Sequence, residues 1–141
     1  MLLQKTLHLA VLIFFFFNLS TVYAKVNNDI EIMDIEENKI IKKIPTDSNI
    51  QLETEKVIKD INGFVKAFKP IPDKGYMIKI PLDPSYHLEN KWINTIIDEV
   101  ILIIPETEKP FLLTFDDENN PYFFTFQIKI DNLLKTLEFP I

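Results

Sequence analysis

Glu99-Val100-Ile101-Leu102-Ile103-Ile104 is followed, across Pro105-Glu106-Thr107-Glu108-Lys109-Pro110, by Phe111-Leu112-Leu113-Thr114-Phe115. The first run is apolar and β-branched at successive positions, so both of its faces need cover. It is expected as an inner strand of a sheet, with Phe111–Phe115 as the next strand after a polar connection. Asp116 to Pro121 then reads as a loop. Tyr122 to Ile130 alternates, with Tyr122, Phe124, Phe126, Ile128 and Ile130 on one face and Thr125, Gln127 and Lys129 sharing the other with Phe123. Asp131-Asn132 reads as a turn, and Leu133 to Phe139 is expected as a last strand ending at Pro140.

Upstream, Trp92 to Ile97 is ambiguous. Asp73-Lys74-Gly75 turns the chain into a short strand, Tyr76 to Ile80, which Pro81 and Pro84 are expected to stop. Ser85 and His87 are then expected in a loop. Further back, Val57, Ile61, Phe64, Val65 and Phe68 fall at i, i+4, i+7, i+8 and i+11, with Lys56, Lys59, Asp60, Lys66 and Lys69 opposite. Asn62-Gly63 is a competing hairpin signal. A hairpin there would leave neither face clean, so a helix is favoured within residues 51–68, ended by Pro70 and Pro72. Pro45-Thr46-Asp47-Ser48-Asn49 is a turn cluster that supplies N-cap candidates.

Residues 25–45 read as a polar leader or a hairpin. Ile30, Ile32 and Ile35 alternate loosely with charges, Glu36-Glu37-Asn38 reads as a turn, and Ile40, Ile41 and Ile44 follow. The charge density and the broken alternation favour a leader that orders on contact with a partner. Residues 46–141 then form a single mainly β domain, an antiparallel sandwich or open barrel with one N-terminal amphipathic helix.

The first residues carry one charge, Lys5, before a run from Leu9 to Leu19 that is apolar apart from Asn18. Val22-Tyr23-Ala24 closes it with a small residue and a small aliphatic two before. This is the pattern of a secretory signal peptide, residues 1–24, cut after Ala24. A membrane span needs about 20 apolar residues, and this run is roughly half that. No cysteine follows it to carry a lipid, so no membrane anchor is expected after cleavage. The address expected is periplasmic or secreted, in a bacterium.

Cleavage leaves 117 of 141 residues, one domain's worth, which must form its core without disulfides because cysteine is absent. The net charge of −6 becomes −7 with the loss of Lys5, and all 15 cations are lysine. An acidic chain repels phosphate backbones, so no nucleic-acid partner is expected. Without arginine there is no planar fork for phosphate or carboxylate.

Little catalytic chemistry is expected. The mature chain has one histidine, His87, and no nucleophile elbow surrounds Ser48 or Ser85. With no cysteine, no nitrogen- or sulfur-rich metal site is expected. Asp116-Asp117-Glu118-Asn119-Asn120 is rich in oxygen, but Pro121 stands where a helix-loop-helix calcium site needs glycine, and Gln127 where it needs glutamate. Two glycines, Gly63 and Gly75, cannot form a phosphate-cradling loop, so no cofactor is expected. A pair of carboxylates acting as acid and base is the one hydrolytic arrangement left open. Tyr86, His87 and Trp92 are the candidate binding residues, as amphipathic side chains of a kind that favours interfaces. The competing reading places Trp92 in the core.

Phe68-Lys69-Pro70-Ile71, Lys74-Gly75, Pro84-Ser85-Tyr86-His87-Leu88-Glu89-Asn90, Glu99 to Phe115 and Gln127-Ile128-Lys129-Ile130 follow an order similar to that of the sulfur-carrier domain of thiosulfate-oxidation systems, the SoxY type. The resemblance covers about half the chain and implies an immunoglobulin-like sandwich in an exported compartment. That family holds its sulfur on a cysteine near a glycine-rich C-terminus. This chain has no cysteine and ends Leu137-Glu138-Phe139-Pro140-Ile141, so the resemblance implies no carrier activity.

The expected function is an exported, non-catalytic binding or adaptor domain whose partner is another envelope or secreted protein, met through a sheet edge or the Tyr86–Trp92 segment. The alternatives are a structural or chaperone-like subunit of an envelope assembly, a cysteine-less relative of the sulfur carriers, and a small carboxylate-based hydrolase.

Overall fold

Val100 to Ile104 lie in the middle of a sheet in the computed structural model, which describes residues 27–139 and so leaves the expected signal peptide outside. The elements in chain order are β1 (Ile30–Asp34), β2 (Lys39–Ile44), α1 (Ser48–Lys59), β3 (Gly63–Phe64), β4 (Gly75–Glu89), β5 (Asn94–Pro105), β6 (Phe111–Phe115), β7 (Pro121–Thr125) and α2 (Asp131–Thr136). The chain is mainly β, as expected. Seven antiparallel strands form one sheet in the order β2-β1-β4-β5-β6-β7-β3.

One register line crosses the sheet through Lys42, Ile32, Ile78, Leu102, Leu112, Phe124 and Phe64. Its apolar members face both helices. Ile50, Val57 and Ile58 of α1 and Leu133 and Leu134 of α2 share one core with Ile32, Ile78, Leu102, Leu112 and Phe124. The opposite face carries a smaller cluster of Ile103, Phe111 and Leu113, flanked by Val65, Met77, Ile101, Phe115 and Phe123. Leu102 and Ile103 are adjacent, belong to opposite faces and are both 0% exposed, which is the inner-strand property that the sequence implies.

Residues 30–44 form a hairpin and not a leader. Ile30 and Ile32 are fully buried, and the charge between them is paired across strands. Glu31 meets Lys43 at 3.0 Å and Lys79 at 2.9 Å. The turn is held by Asp34, whose Oδ1 accepts from the Glu37 amide at 3.0 Å, and Asn38 supplies a left-handed φ of 49°. The charges that resemble a solvated leader are cross-strand partners.

Asp47 caps α1, its Oδ1 accepting from the Ile50 amide at 2.8 Å. The cap starts the helix earlier than the expected stripe, and Ile50, Thr54, Val57 and Ile58 make its buried face. Ile61, Phe64, Val65 and Phe68 therefore lie outside the helix. Glycine at 63 weakens a helix by about 1 kcal/mol, and here Gly63 pairs with Thr125 of β7 while the Asn62 amide bonds the Thr125 carbonyl at 2.9 Å. Phe68 is fully exposed.

β4 does not stop at Ile80. Leu82 to Ser85 stand against the single residue Asp98 of β5, a bulge bounded by the pairs Pro81–Glu99 and Tyr86–Ile97. Pro84 falls inside this irregularity, where a missing N–H breaks no regular ladder bond, and Pro81 stands at its border, paired with Glu99. The strand runs on to Glu89, so Ser85, Tyr86 and His87 are strand residues. A bulge bends its ribbon, and the tip of the β4–β5 ribbon carries Trp92 back to Phe64 and Phe124 on the far strands, at 5.3 and 6.0 Å between ring centroids.

β7 ends at Thr125 and not at Ile130. Asp60, at the end of α1, takes the next two free amides, its Oδ2 accepting from Gln127 and Ile128, each at 2.7 Å. With that edge closed, Leu133, Leu134 and Leu137 bury themselves as a helix turn, and α2 replaces the expected last strand. The fold thus has a second, short helix besides the one expected. Lys42 of β2 donates to the Leu137 and Glu138 carbonyls at 3.2 and 3.0 Å, closing the C-terminal end of α2. Among the described residues no helix is long and apolar enough to cross a membrane.

Candidate functional site

Of the three residues that the sequence singles out, the structure sets His87 apart from Tyr86 and Trp92. Tyr86 and Trp92 are half-buried against the helix-facing core, while His87 is exposed on the other face of β4. Strand alternation alone divides Tyr86 from His87. Trp92 stacks edge-on against Phe64 and has the Lys91 ammonium 4.6 Å above its ring. Its indole closes the bent sheet on its inner side, a packing role.

His87 Nε2 and Asn94 Oδ1 lie 2.6 Å apart across the β4–β5 ribbon, and Ser85 Oγ donates to Asp98 Oδ1 at 2.5 Å. A catalytic triad requires the imidazole between hydroxyl and carboxylate. Here the hydroxyl meets the carboxylate directly and the imidazole meets an amide, so these contacts pin two strands together and prepare no nucleophile.

The Asp116–Asn120 loop is organised around its own first carboxylate. Asp116 accepts from the Glu118 and Asn120 amides, the Asn120 side-chain amide at 2.9 Å and the Tyr122 hydroxyl at 3.1 Å. The Asn120 side-chain and backbone donors hold the Asp116 carboxyl below its usual range, and the same carboxylate pushes the Tyr122 phenol up. Oxygens turned inward on N–H and O–H donors are oriented against a cation. Among the described residues, no three His, Cys, Asp or Glu side chains group as metal ligands.

Two features remain that sequence reasoning does not reach. The first is the β2 edge, the last strand of the sheet on one side. It is six residues long, and Ile40 and Ile41 are 42% and 48% exposed. Ile41 is skipped in the register with β1, where Ile32 pairs with Lys42 and Met33 with Ile40. The other edge, β3, is two residues long, and its Phe64, 41% exposed, stacks on Phe124 and meets Trp92 edge-on. Next to β2, Lys43 and Lys79 both act on Glu31 and lower its carboxyl below the ordinary value, Lys79 first. Glu31 is thus paired with one lysine on each flanking strand.

The second is a groove where the chain leaves β7. Its wider part has a volume of about 650 Å³ and is lined by Phe126, Ile128, Ile130 and Leu134 with Lys109 and Lys129. A narrower part of about 350 Å³ shares Ile104 and Leu134 with it and is lined by Asp34, Glu36 and Glu106. The alternating pattern through Ile130 hides this groove, because only the Asp60 clamp takes Ile128 off the sheet.

The chain matches no protein-family model, no curated protein and no solved structure. Nothing in those comparisons bears on the resemblance to the sulfur-carrier domains.

Proposed function

We propose that the chain is an exported, non-catalytic adaptor domain of the bacterial envelope or exterior, and that it captures an extended, acidic segment of another protein along the β2 edge. The observation that carries this reading is the contrast between the two edges. β2 is six residues long with two exposed isoleucines, whereas β3 is two residues long and its Phe64, itself 41% exposed, packs against Trp92 and Phe124. A long edge offers main-chain hydrogen bonds for affinity and alternate side chains for specificity.

Charge selects the occupant. Lys39, Lys42 and Lys43 are the only charged residues of β2; Lys42 and Lys43 already meet Glu138 and Glu31, and Lys39, with no ion-pair partner within 4.0 Å among the described residues, is the cation left to meet a strand carrying Asp or Glu. A second copy of β2 would bring lysines together, which discourages self-pairing.

Titration of the full secreted chain with a short peptide alternating Glu and Val tests the reading, with a Lys–Val peptide as control. Saturable binding of the acidic peptide, lost in Ile41→Pro, is expected. Ile41 has no register partner in β1, and the far-ultraviolet circular dichroism of Ile41→Pro checks that the sheet persists. Equal binding of both peptides, or undiminished binding by Ile41→Pro, overturns it. Export has its own test. The secreted chain begins at Lys25 by N-terminal sequencing, and a cell-retained chain that keeps Met1 contradicts it.

A further inference from the structure

We infer that the groove beside α2 binds a long-chain carboxylate, with its alkyl body between Phe126, Ile128 and Leu134 and its head between Lys109 and Lys129. The wider part, about 650 Å³, lies within the range of small-molecule sites, which run to roughly 300–1,000 Å³. Its floor is apolar and closed, since Phe126, Ile130 and Leu134 are 9%, 7% and 6% exposed, while Ile128 is left 38% exposed on the rim. The wall is built in advance, because Asp60 fixes the Gln127 and Ile128 amides.

Charge sets the polarity of the ligand. Lys109 and Lys129 stand at the wider part with Asp131, and neither lysine has an ion-pair partner within 4.0 Å among the described residues. The narrower part presents Asp34, Glu36 and Glu106, with Lys74 turned onto Glu36 at 3.3 Å. An amphipathic anion is drawn to the lysine end and repelled from the acidic one. An amphipathic cation meets the opposite field at both ends. No residue of β2 lines the groove, so this inference stands or falls independently of the adaptor reading.

Displacement of the fluorescent anion anilinonaphthalene sulfonate from the full chain by dodecanoate tests it, with dodecyltrimethylammonium as the arm of opposite charge. Dodecanoate is expected to displace the probe, and the cation is not. The double variant Lys109→Glu/Lys129→Glu changes two exposed side chains and should weaken dodecanoate by roughly tenfold or more, as reversed charge pairs do. Ile128→Asp places a carboxylate in the wall and should weaken it as well. Failure of dodecanoate to displace the probe, equal displacement by the cation, or full binding by the double variant overturns the inference.

Discussion

Truncation of two adjacent residues, Leu102→Ala and Ile103→Ala, measures the inner-strand argument directly. In a sheet with one wet face, neighbouring positions differ sharply in cost, since only one of them is buried. Here both side chains are 0% exposed, in separate clusters on opposite faces of β5. Leu102 sits in the register line between Ile78 and Leu112, under both helices. Its truncation leaves a cavity that rigid neighbours on three elements cannot fill, which places the cost toward the top of the usual range of about 2–5 kcal/mol. Ile103 lies in the smaller cluster, between Met77 and Phe111, where half-buried neighbours relax more easily, so about 2–3 kcal/mol is expected. Domains of this size are stable by roughly 5–15 kcal/mol. At roughly 4 °C per kcal/mol the two variants should melt about 16 and 10 °C lower. Urea titration followed by circular dichroism gives both numbers, with Ile96→Ala, at 58% exposure, as the reference that should move stability by less than about 0.5 kcal/mol. A cost for Ile103→Ala as small as that of Ile96→Ala would refute the claim that β5 is covered on both faces.

Two further outcomes follow from single carboxylates. Asp60→Ala removes the acceptor for the Gln127 and Ile128 amides, and should cost about 1–3 kcal/mol because two donors lose a charged partner. Hydrogen exchange at those two amides should accelerate together, and unchanged exchange would contradict the clamp. Glu31 has a folded pKa lowered from 4.5 by Lys79 and Lys43. A lowered pKa means that its stabilisation is complete above about pH 4.5 and is lost as pH falls through the folded value. Glu31→Gln should therefore lower stability above that point and converge with the parent chain as pH falls through the folded value, which flattens the acid side of the stability–pH curve. A parallel loss of stability at all pH values would point to packing instead.

The sheet was legible where composition and patterning agree. The run at Val100–Ile104 demands cover on both faces, Phe111–Phe115 is bounded by proline and a turn-forming loop, and the Asp47 cap lies in a turn cluster that marks a helix start. The misreadings share a physical cause, which is a local signal overridden by a distant partner. Pro81 and Pro84 look like stops, yet Pro81 still pairs with Glu99 and Pro84 falls in a bulge against Asp98 that has no regular ladder to break. Tyr122–Ile130 alternates to its end, yet Asp60, more than sixty residues earlier, takes the amides that would have continued the ladder. The charges of residues 29–43 look solvated until β4 brings Lys79 to Glu31. Leu133–Phe139 carries too few residues to separate period 2 from period 3.6, and the vacancy on the helix face decided it. For binding, Tyr86, His87 and Trp92 were legible as residue types, but not that alternation sets His87 on the face opposite Tyr86 and Trp92. The β2 edge was hidden behind the expectation of a leader, since an edge exists only once a hairpin is recognised.

The adaptor reading turns on whether the amides of Lys39–Ile44 can be covered by a partner's backbone. Hydrogen–deuterium exchange resolved by residue, with and without a saturating acidic Glu–Val peptide, measures this directly. Slowed exchange confined to alternate amides of β2, with β3 unchanged, is the predicted result, because added strands bond every second residue of an edge. Unchanged exchange along β2 under conditions where the peptide is bound would contradict the account.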